Sequence, residues 1–324
     1  MNFCPFVSTT LIFSEKNIAP CYIFLSEKVP LYLDKELEET ENINFKQKKQ
    51  EINDILNNEQ TNSFSCQNCC NLTTKNLKNE KYDHFIFSLW NKTNFEYDIH
   101  KIIKQLYEDD MIDIENLKVE IQSKDFLTMD YLEQIIDLFE KYGYEEIIFM
   151  MNKVVYLPII EKQLEKGKAS LCIIYEYKNN GKLIEKEYGP QHILRSYIST
   201  AKNKNAISVH YQFKKDYNDN KKDIINFITI MYIIGINKIS FNLENKDITK
   251  WLNEPLPLSS YPKKIKDLAL LFFKTANKYS FYIDMNFREQ TLVLKKIFKT
   301  YKKKEFKLKL IENIINLFNK KDNK

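Results

Sequence analysis

Glycine is scarce in this chain, with five glycines and eight prolines among 324 residues. Loops that cradle phosphates or nucleotide cofactors are usually built from glycine, because only glycine lets the backbone approach a ligand so closely. The sequence contains no G-x-G-x-x-G run, no P-loop, and no motif that marks a Ser, His and Asp triad. The common nucleotide-binding and nucleophile-elbow motifs are therefore excluded.

A strong charge of one sign and a long apolar run are also lacking. Lysine and arginine number 49 and aspartate and glutamate 44, so the net charge is +5, a balance that argues against a dedicated nucleic-acid-binding protein. The longest apolar run, residues 224–236, is shorter than the roughly 18–20 residues that span a bilayer. The first residues lack the basic start of a signal peptide. We expect a cytoplasmic protein without a membrane span.

Short β-rich runs alternate with helical patterns between Tyr82 and about Asn245. In the intervening stretches the apolar residues recur at i, i+3, i+4 and i+7, which is the helical period. Six such alternations predict parallel βαβ units with right-handed crossovers, in an open sheet or in a full or partial barrel. Ligands of both architectures lie at the carboxyl ends of the strands. The predicted strands are residues 85–90, 119–122, 146–151, 169–177, 207–213 and 238–244.

Cysteines concentrate at the amino-terminal end. The pair Cys66 and Cys69 has C-x-x-C spacing, which lets two thiolates reach one ion from a tight turn. The runs VSTTLIF and CYIFL predict a hairpin in which Cys4 precedes the first run and Cys21 opens the second. These two cysteines supply a second pair, so four thiolates are available for zinc or for an iron–sulfur cluster. The alternative is that Cys4 and Cys21 are small buried residues and the C-x-x-C is coincidental. Cys172 lies inside an apolar strand and is predicted to belong to the core.

Strand ends and one strand interior carry the other candidate functional residues. The carboxylates that follow predicted strands are suited to acid or base work in an α/β transferase or hydrolase. They are Asp125, Glu176, Asp216 and Glu244. His210 lies on a strand between Val209 and Tyr211, where it is either a proton shuttle that points into a barrel or a hydrogen-bonded core histidine. The other histidines, His84, His100 and His192, are predicted to occupy surface or helix positions.

With the strands placed, the chain resembles the radical S-adenosylmethionine enzymes over about residues 83–244. The resemblance rests on the strand and helix order and on runs such as FIFSLW, EEIIFMMNKVVYLPIIEKQLEKGKASLCIIYEY, ISVHYQF and GINKISFNLE. FIFSLW takes the place of the family's first strand. The segment CPFVSTTLIFSEKNIAPC and the later C-x-x-C are similar to the auxiliary-cluster, SPASM-type, half-motifs of the same superfamily.

The resemblance implies an α/β fold built on a partial (β/α)6, TIM-like barrel of parallel strands. The expected organisation is an amino-terminal cysteine-containing β unit with a polar linker (1–72), the barrel (82–290) and basic carboxyl-terminal helices (291–324). The cofactor contacts that it implies come from Asp125, Asn152, Glu176 and His210. The implied metal ligands are Cys4, Cys21, Cys66 and Cys69.

The family's defining C-x-x-x-C-x-x-C motif is absent, because the loop after FIFSLW, residues 91–97, contains no cysteine. Asparagine, threonine and glutamate cannot replace three thiolates on iron. The leading hypothesis is therefore a degenerate member, a pseudoenzyme that does not bind S-adenosylmethionine firmly and that acts through a protein or small-molecule partner. Two alternatives remain: an active radical enzyme, modifying a peptide or small molecule, whose cluster uses Cys66, Cys69 and Cys70, and the unrelated transferase or hydrolase.

Overall fold

The computed structural model describes ten stretches of the chain. They are residues 9–20, 44–57, 81–89, 95, 97–123, 132–152, 154–176, 190–213, 221–243 and 263–283. These stretches contain nine β-strands, which form one sheet. The strands are β1 (Thr10–Ser14), β2 (Ile18–Ala19), β3 (His84–Leu89), β4 (Lys118–Ser123), β5 (Glu146–Met151), β6 (Ala169–Glu176), β7 (Ile207–Phe213), β8 (Lys238–Leu243) and β9 (Tyr282–Ile283).

The strands are ordered β2-β1-β3-β4-β5-β6-β7-β8-β9 across the sheet. Among these described strands, only the pairing of β1 with β2 is antiparallel, and every pairing from β1–β3 through β8–β9 is parallel. The parallel strands thus follow one another in space in the order in which they occur in the chain. Because β-α-β crossovers are right-handed, this order places the connecting helices on one face of the sheet.

The same described stretches contain seven helices. They are α1 (Phe45–Asn57), α2 (Ile99–Glu108), α3 (Leu132–Tyr142), α4 (Pro158–Lys166), α5 (Pro190–Thr200), α6 (Lys221–Ile234) and α7 (Lys263–Lys278). Helix α2 begins where the Asp98 carboxylate accepts a hydrogen bond from the backbone N–H of Lys101 at 3.1 Å, a side-chain N-cap. Helix α4 ends at Gly167, whose φ of 75° is the left-handed conformation that a glycine C-cap adopts without strain. Consecutive helices from α4 to α7 pack side by side.

The face of the sheet that the helices cover is the main hydrophobic core. Alternate residues along each strand point to this face, because successive strand side chains point to opposite sides. At its centre Phe13 stacks on Phe87 with ring centroids 4.9 Å apart, and Phe139 of α3 meets Phe87 at 5.8 Å. Leu11, Phe85, Val119, Ile147 and Leu171 continue the same layer across the sheet and are fully buried. We call this the apolar face.

Sequence analysis placed the strands of the repeated region correctly, within one residue for most of them, and the α/β class with a mostly parallel sheet is confirmed. The amino-terminal hairpin differs from its prediction. Its described second strand, Ile18–Ala19, begins inside the stretch predicted to be the turn, because Asn17 and Ser14 hydrogen-bond each other and close the turn early; the run that begins at Cys21 lies outside the described residues. Strand β1 then pairs with β3, so the sheet begins within the segment that was assigned to a separate amino-terminal unit.

Candidate functional site

The opposite side of the sheet, which we call the polar face, carries a different set of side chains. One row of mutually paired residues runs across eight strands on this face. It consists of Ser14, Ser88, Gln122, Met150, Cys172, Ser208, Lys238 and Tyr282. The row toward the amino ends of the strands contains Glu120, Ile148 and Ser170, and the row toward the carboxyl ends contains Ile174, His210 and Ser240. This face therefore alternates hydroxyl, amide, imidazole and carboxylate groups with aliphatic ones.

A histidine held between two serines is the most definite polar arrangement on this face. Nε2 of His210 lies 3.2 Å from Oγ of Ser208, two residues earlier on β7. Nδ1 of His210 is hydrogen-bonded to Oγ of Ser240 on β8. All three residues are buried, with His210 6% and Ser240 3% exposed. Because a neutral imidazole donates from one nitrogen and accepts at the other, one serine hydroxyl donates to the ring and the other accepts from it.

The consequence of this arrangement is a fixed ring that can move a proton. The two serines set the orientation of the His210 ring. When the ring proton moves from one nitrogen to the other, the two serine hydroxyls exchange their roles as donor to the ring and acceptor from it. A hydroxyl that gives its hydrogen to the ring presents its oxygen as an acceptor, while the other offers its hydrogen elsewhere. The cluster can therefore match either a donor or an acceptor on a bound molecule. We call Ser208, His210 and Ser240 the histidine cluster.

A second polar cluster lies on the same face at the amino ends of β3 and β4. Nε2 of His84 is 3.4 Å from Oε2 of Glu120, and the Gln122 amide donates a hydrogen bond to Oε1 of the same carboxylate. Within the described part of the chain, the buried Nε2 of His84 makes no hydrogen bond. Burial raises the pKa of the adjacent Asp83 carboxyl, and the positive charge of His84 opposes that rise.

Much of the polar face is buried, although Ser88 and Ser170 on it are only half-buried. Ile12 and Ile86 are fully buried on it, and Met150 and Cys172 are nearly so, yet none of the four belongs to the main core of the apolar face. Toward the carboxyl ends Ile174 and Asn152 are half-buried. A buried face with hydrogen-bonded polar groups is the place in this sheet where a small ligand finds both shape and polarity.

The predicted cofactor contacts are brought together only in part. Asn152 follows the last residue of β5 and His210 lies on β7, so the intervening strand β6 separates their backbones by about 10 Å. Glu176 is the last residue of β6, opposite Gln212. Asp125 lies outside the described residues, as do the strand-end carboxylates Asp216 and Glu244. The alternative reading of His210 as a hydrogen-bonded buried histidine agrees with its two serine contacts.

The predicted metal ligands Cys4, Cys21, Cys66 and Cys69 lie outside the described residues, and so does Cys70. Among the residues that the structure does describe, no group of three or more histidine, cysteine, aspartate or glutamate side chains is arranged to hold a metal ion. The prediction for Cys172 is confirmed, because it is buried on β6. The metal prediction for the amino-terminal cysteines stays a prediction.

Sequence reasoning missed the two serines of the histidine cluster, Glu120 and Gln122. The signal was present as alternation: I-S-V-H on β7, K-I-S on β8 and V-E-I-Q on β4 each place polar residues at every second position. His84, predicted to occupy a surface or helix position, opens strand β3 and is half-buried, with its Nε2 buried beside Glu120. Local composition at a strand start does not reveal which neighbouring strand will lie beside it.

Comparison with known proteins adds no relative. A scan against family models, a search of curated proteins and a search of solved structures each find no match to this chain. In the described stretches, no helix has the length and apolar character needed to cross a bilayer.

Proposed function

We propose that this chain is a ligand-binding or accessory protein built on a partial barrel of the radical S-adenosylmethionine type, without the cluster that generates radicals. The histidine cluster on a buried polar face is the observation that carries the proposal. Well-packed aliphatic side chains are often at least as stabilising as a hydrogen-bonded buried polar cluster, so stability alone does not call for polar residues on this face. Polar residues are retained there, in our proposal, to contact a small molecule.

The barrel part of the proposal is supported by the strand order and by burial. Parallel strands in chain order with helices on one face form a singly wound sheet, and such a sheet buries its second face when it curls. The full burial of Ile12 and Ile86 on the polar face is in keeping with that curvature. In barrels of this kind the ligand site lies at the carboxyl ends of the strands. Asn152 directly follows β5 at that end, and the histidine cluster lies farther in, near the middle of β7 and β8.

The positions of the cysteines support the loss of radical chemistry, whether β1 or β3 is taken as the first strand of the barrel. If β3 is the first barrel strand, the following loop has no cysteine between residues 90 and 97. If β1 is the first, residues 15–20 also contain none, and the Ser14–Asn17 turn leads directly into β2. Nowhere in the sequence do three cysteines stand at C-x-x-x-C-x-x-C spacing. The loop after β3 thus supplies no thiolate, and the longer connection from β1 to β3 carries Cys21, Cys66, Cys69 and Cys70 only at a different spacing.

The test is calorimetric titration of S-adenosylmethionine into protein purified and reconstituted with iron and sulfide without air. We expect no measurable heat of specific binding. Iron and acid-labile sulfide are measured on the same sample, so that a cluster at the amino-terminal cysteines is detected separately. Binding with a Kd of about 10 μM or tighter, lost in His210→Ala, would overturn the degenerate assignment and favour an active enzyme.

The small-molecule part is tested by a matched pair of variants. A thermal-shift screen of neutral polar metabolites is run on the wild type, on His210→Asn and on Ser170→Ala, which alters a hydroxyl of the same face on β6. A compound that raises the melting temperature of the wild type and of Ser170→Ala, but not of His210→Asn, supports a site at the histidine cluster. A stabilising compound that acts equally on all three binds elsewhere and contradicts the proposal.

A further inference from the structure

Helix α6 is apolar on two sides. Its inner side packs against the sheet through Ile224, Phe227, Ile228, Met231 and Ile234. Its outer side exposes Ile225 (42%), Tyr232 (55%) and Ile233 (62%) to solvent. These three are spaced i, i+7 and i+8, so they share one side of the helix. A helix of a surface layer is normally polar on its outer side, and the inner side of α6 already supplies its contribution to the core.

The outer side forms a continuous stripe and not scattered exposure. The described residues expose five large hydrophobic side chains in total, so most of them fall on this one helix. Between Ile225 and Tyr232, the Thr229 hydroxyl donates to the Ile225 carbonyl at 2.8 Å, so its hydrogen is already bonded within the helix. The Tyr232 ring meets the half-buried Tyr279 ring at 4.9 Å, which extends the apolar surface toward α7. Singly exposed apolar residues need no explanation, whereas a stripe marks an interaction surface. We call Ile225, Tyr232, Ile233 and Tyr279 the α6 stripe.

Cations border the α6 stripe on several sides. Arg195 of α5 donates to the Ile233 carbonyl at 3.4 Å, and Nζ of Lys278 lies 5.9 Å from the centroid of the Tyr279 ring. Lys221 and Lys222 precede Ile225 by one turn and are exposed.

The local charge is one-sided although the whole chain is nearly balanced. Helix α5 carries one arginine, α6 two lysines and α7 five lysines, against one aspartate each on α6 and α7. Asp223 of α6 is buried, so it adds no negative charge to the outer surface. A partner that covers this stripe must therefore bring apolar side chains at its centre and acidic side chains at its edge.

We propose that the α6 stripe is a docking surface for an acidic amphipathic helix of a partner protein. From Ile225 to Ile233 the stripe spans about 12 Å, or roughly two helical turns, which suits the i, i+3, i+4 and i+7 anchors of a helix lying along α6. Tyrosine and arginine are the residues most enriched among interface hot spots, and Tyr232 and Arg195 stand on either side of Ile233. The inference is independent of the histidine cluster, which lies on the opposite face of the sheet.

The test uses fluorescence anisotropy with a labelled, stapled helix of about 14 residues that has leucine and phenylalanine on one side and glutamates along the edges. A second peptide carries lysine in place of every glutamate. We expect the acidic peptide to bind the wild-type protein, more weakly as salt rises, and the basic peptide to bind at least about tenfold less tightly. Equal binding of both peptides, or no binding of the acidic one at about 1 mM, would overturn the proposal.

Variants of the full chain locate the binding. The double variant Tyr232→Ser/Ile233→Ser and the charge variant Lys278→Glu are each expected to weaken the acidic peptide by about tenfold or more. Ile114→Ser removes an exposed apolar side chain elsewhere and Lys101→Glu reverses an exposed charge on α2, and neither is expected to change binding. Circular dichroism of every variant excludes unfolding as the cause. Equal loss in the control variants contradicts the assignment.

Two other occupants have distinct outcomes. Co-sedimentation with vesicles of about 30% phosphatidylserine tests for a lipid surface. If the wild type sediments with the vesicles and Tyr232→Ser/Ile233→Ser does not, while the acidic peptide fails to bind, the occupant is an anionic lipid surface and not a partner helix. Sedimentation equilibrium tests for a second copy of the chain. If the mass doubles with concentration, and returns to the monomer value in the same double variant, the occupant of the stripe is a second copy and not a partner helix. Either result overturns the proposal as stated.

Discussion

The two faces of the sheet are built from the same strands and serve different ends. On the apolar face, aromatic and aliphatic side chains pack against the helix layer, and Phe13, Phe87 and Phe139 form its centre. On the polar face, the same strands present serines, histidines, Glu120 and Gln122. The polar residues Gln122, Ser208 and His210 are buried like the apolar face, so solvent exposure alone does not explain the difference. The burial of the apolar face is the main favourable contribution to the free energy of folding. The polar residues on the other face stabilise the protein less than packed aliphatic side chains would, so a structural role alone does not require them.

The largest effect is expected from truncation on the apolar face. Phe87→Ala removes a ring that contacts Phe13, Phe95 and Phe139. It should lower the free energy of unfolding by about 3–5 kcal/mol, through lost transfer energy and a residual cavity. Urea denaturation followed by circular dichroism measures it, with Phe87→Leu as the control that keeps most of the volume. A loss below about 1 kcal/mol would show that this layer is not the centre of the core.

The second prediction compares the loss of one residue of the histidine cluster with the loss of all three. Ser240→Ala leaves a buried ring nitrogen of His210 without its serine partner and should cost about 1–3 kcal/mol. The triple variant Ser208→Ala/His210→Leu/Ser240→Ala removes the cluster entirely and should cost less than Ser240→Ala alone, because no polar group of the cluster is left unpaired.

Urea denaturation of both variants decides the point. A triple variant that loses as much stability as Phe87→Ala would show that the polar cluster is structural. The contrast between the two faces would then fail, and with it the argument that this face is kept polar for a ligand.

The third prediction concerns a cation on the apolar side. Nζ of Lys49, a buried residue of α1, lies 3.7 Å from the centroid of the Tyr82 ring at the start of β3. Lys49→Met keeps most of the apolar stem and removes the charge, so it abolishes the cation–π contact and should cost about 0.5–2 kcal/mol. Lys49→Arg, which keeps a cation over the ring, should cost less. A stability gain in Lys49→Met would mean that desolvation of the ammonium outweighs its attraction to Tyr82.

Much of the fold follows from local periodicity. The runs at residues 146–151 and 207–213 are strands with the predicted bounds, and α4 ends at Gly167. The glycine at 167, after a helical pattern, is the conventional signal of a helix end. These features depend on neighbours in the chain, which a sequence displays directly. The pairing of β1 with β3 could not be read in this way, because it joins Thr10–Ser14 to a strand far along the chain. Nothing in either segment specifies the other.

The candidate site was predictable only in part for the same reason. His210 was identified from its place within a strand, whereas Ser208 and Ser240 become its partners only when β7 and β8 lie side by side in their observed register. A shift of one residue would turn Ser240 to the apolar face. Register is a property of the assembled sheet, so the sequence could indicate a polar stripe but not which hydroxyl meets which nitrogen.

The smallest effect is expected on the outer surface of the helix layer, where neither face of the sheet is involved. Glu161 of α4 accepts hydrogen bonds from Tyr156, Ser196 and Thr200, and the hydrogen bond from Tyr156, with the next from Ser196, lowers the pKa of the Glu161 carboxyl. A carboxyl whose pKa is lower in the folded protein than in the unfolded chain stabilises the folded protein. This contribution is fully present at pH values above the pKa of the unfolded chain, about 4.3. That contribution is lost as the pH falls through the folded-state pKa.

The measurement is the urea midpoint of the wild type and of Glu161→Gln at pH 7 and at pH 3. The wild type should lose slightly more stability than the variant over this interval, because the glutamine amide of the variant has no proton to take up. Glu165→Gln, an exposed change on the same helix, is the matched control and should follow the wild type. An identical pH response in all three proteins would mean that solvent screens the Glu161 contacts. Only buried contacts, on the two faces of the sheet, would then account for differences in stability.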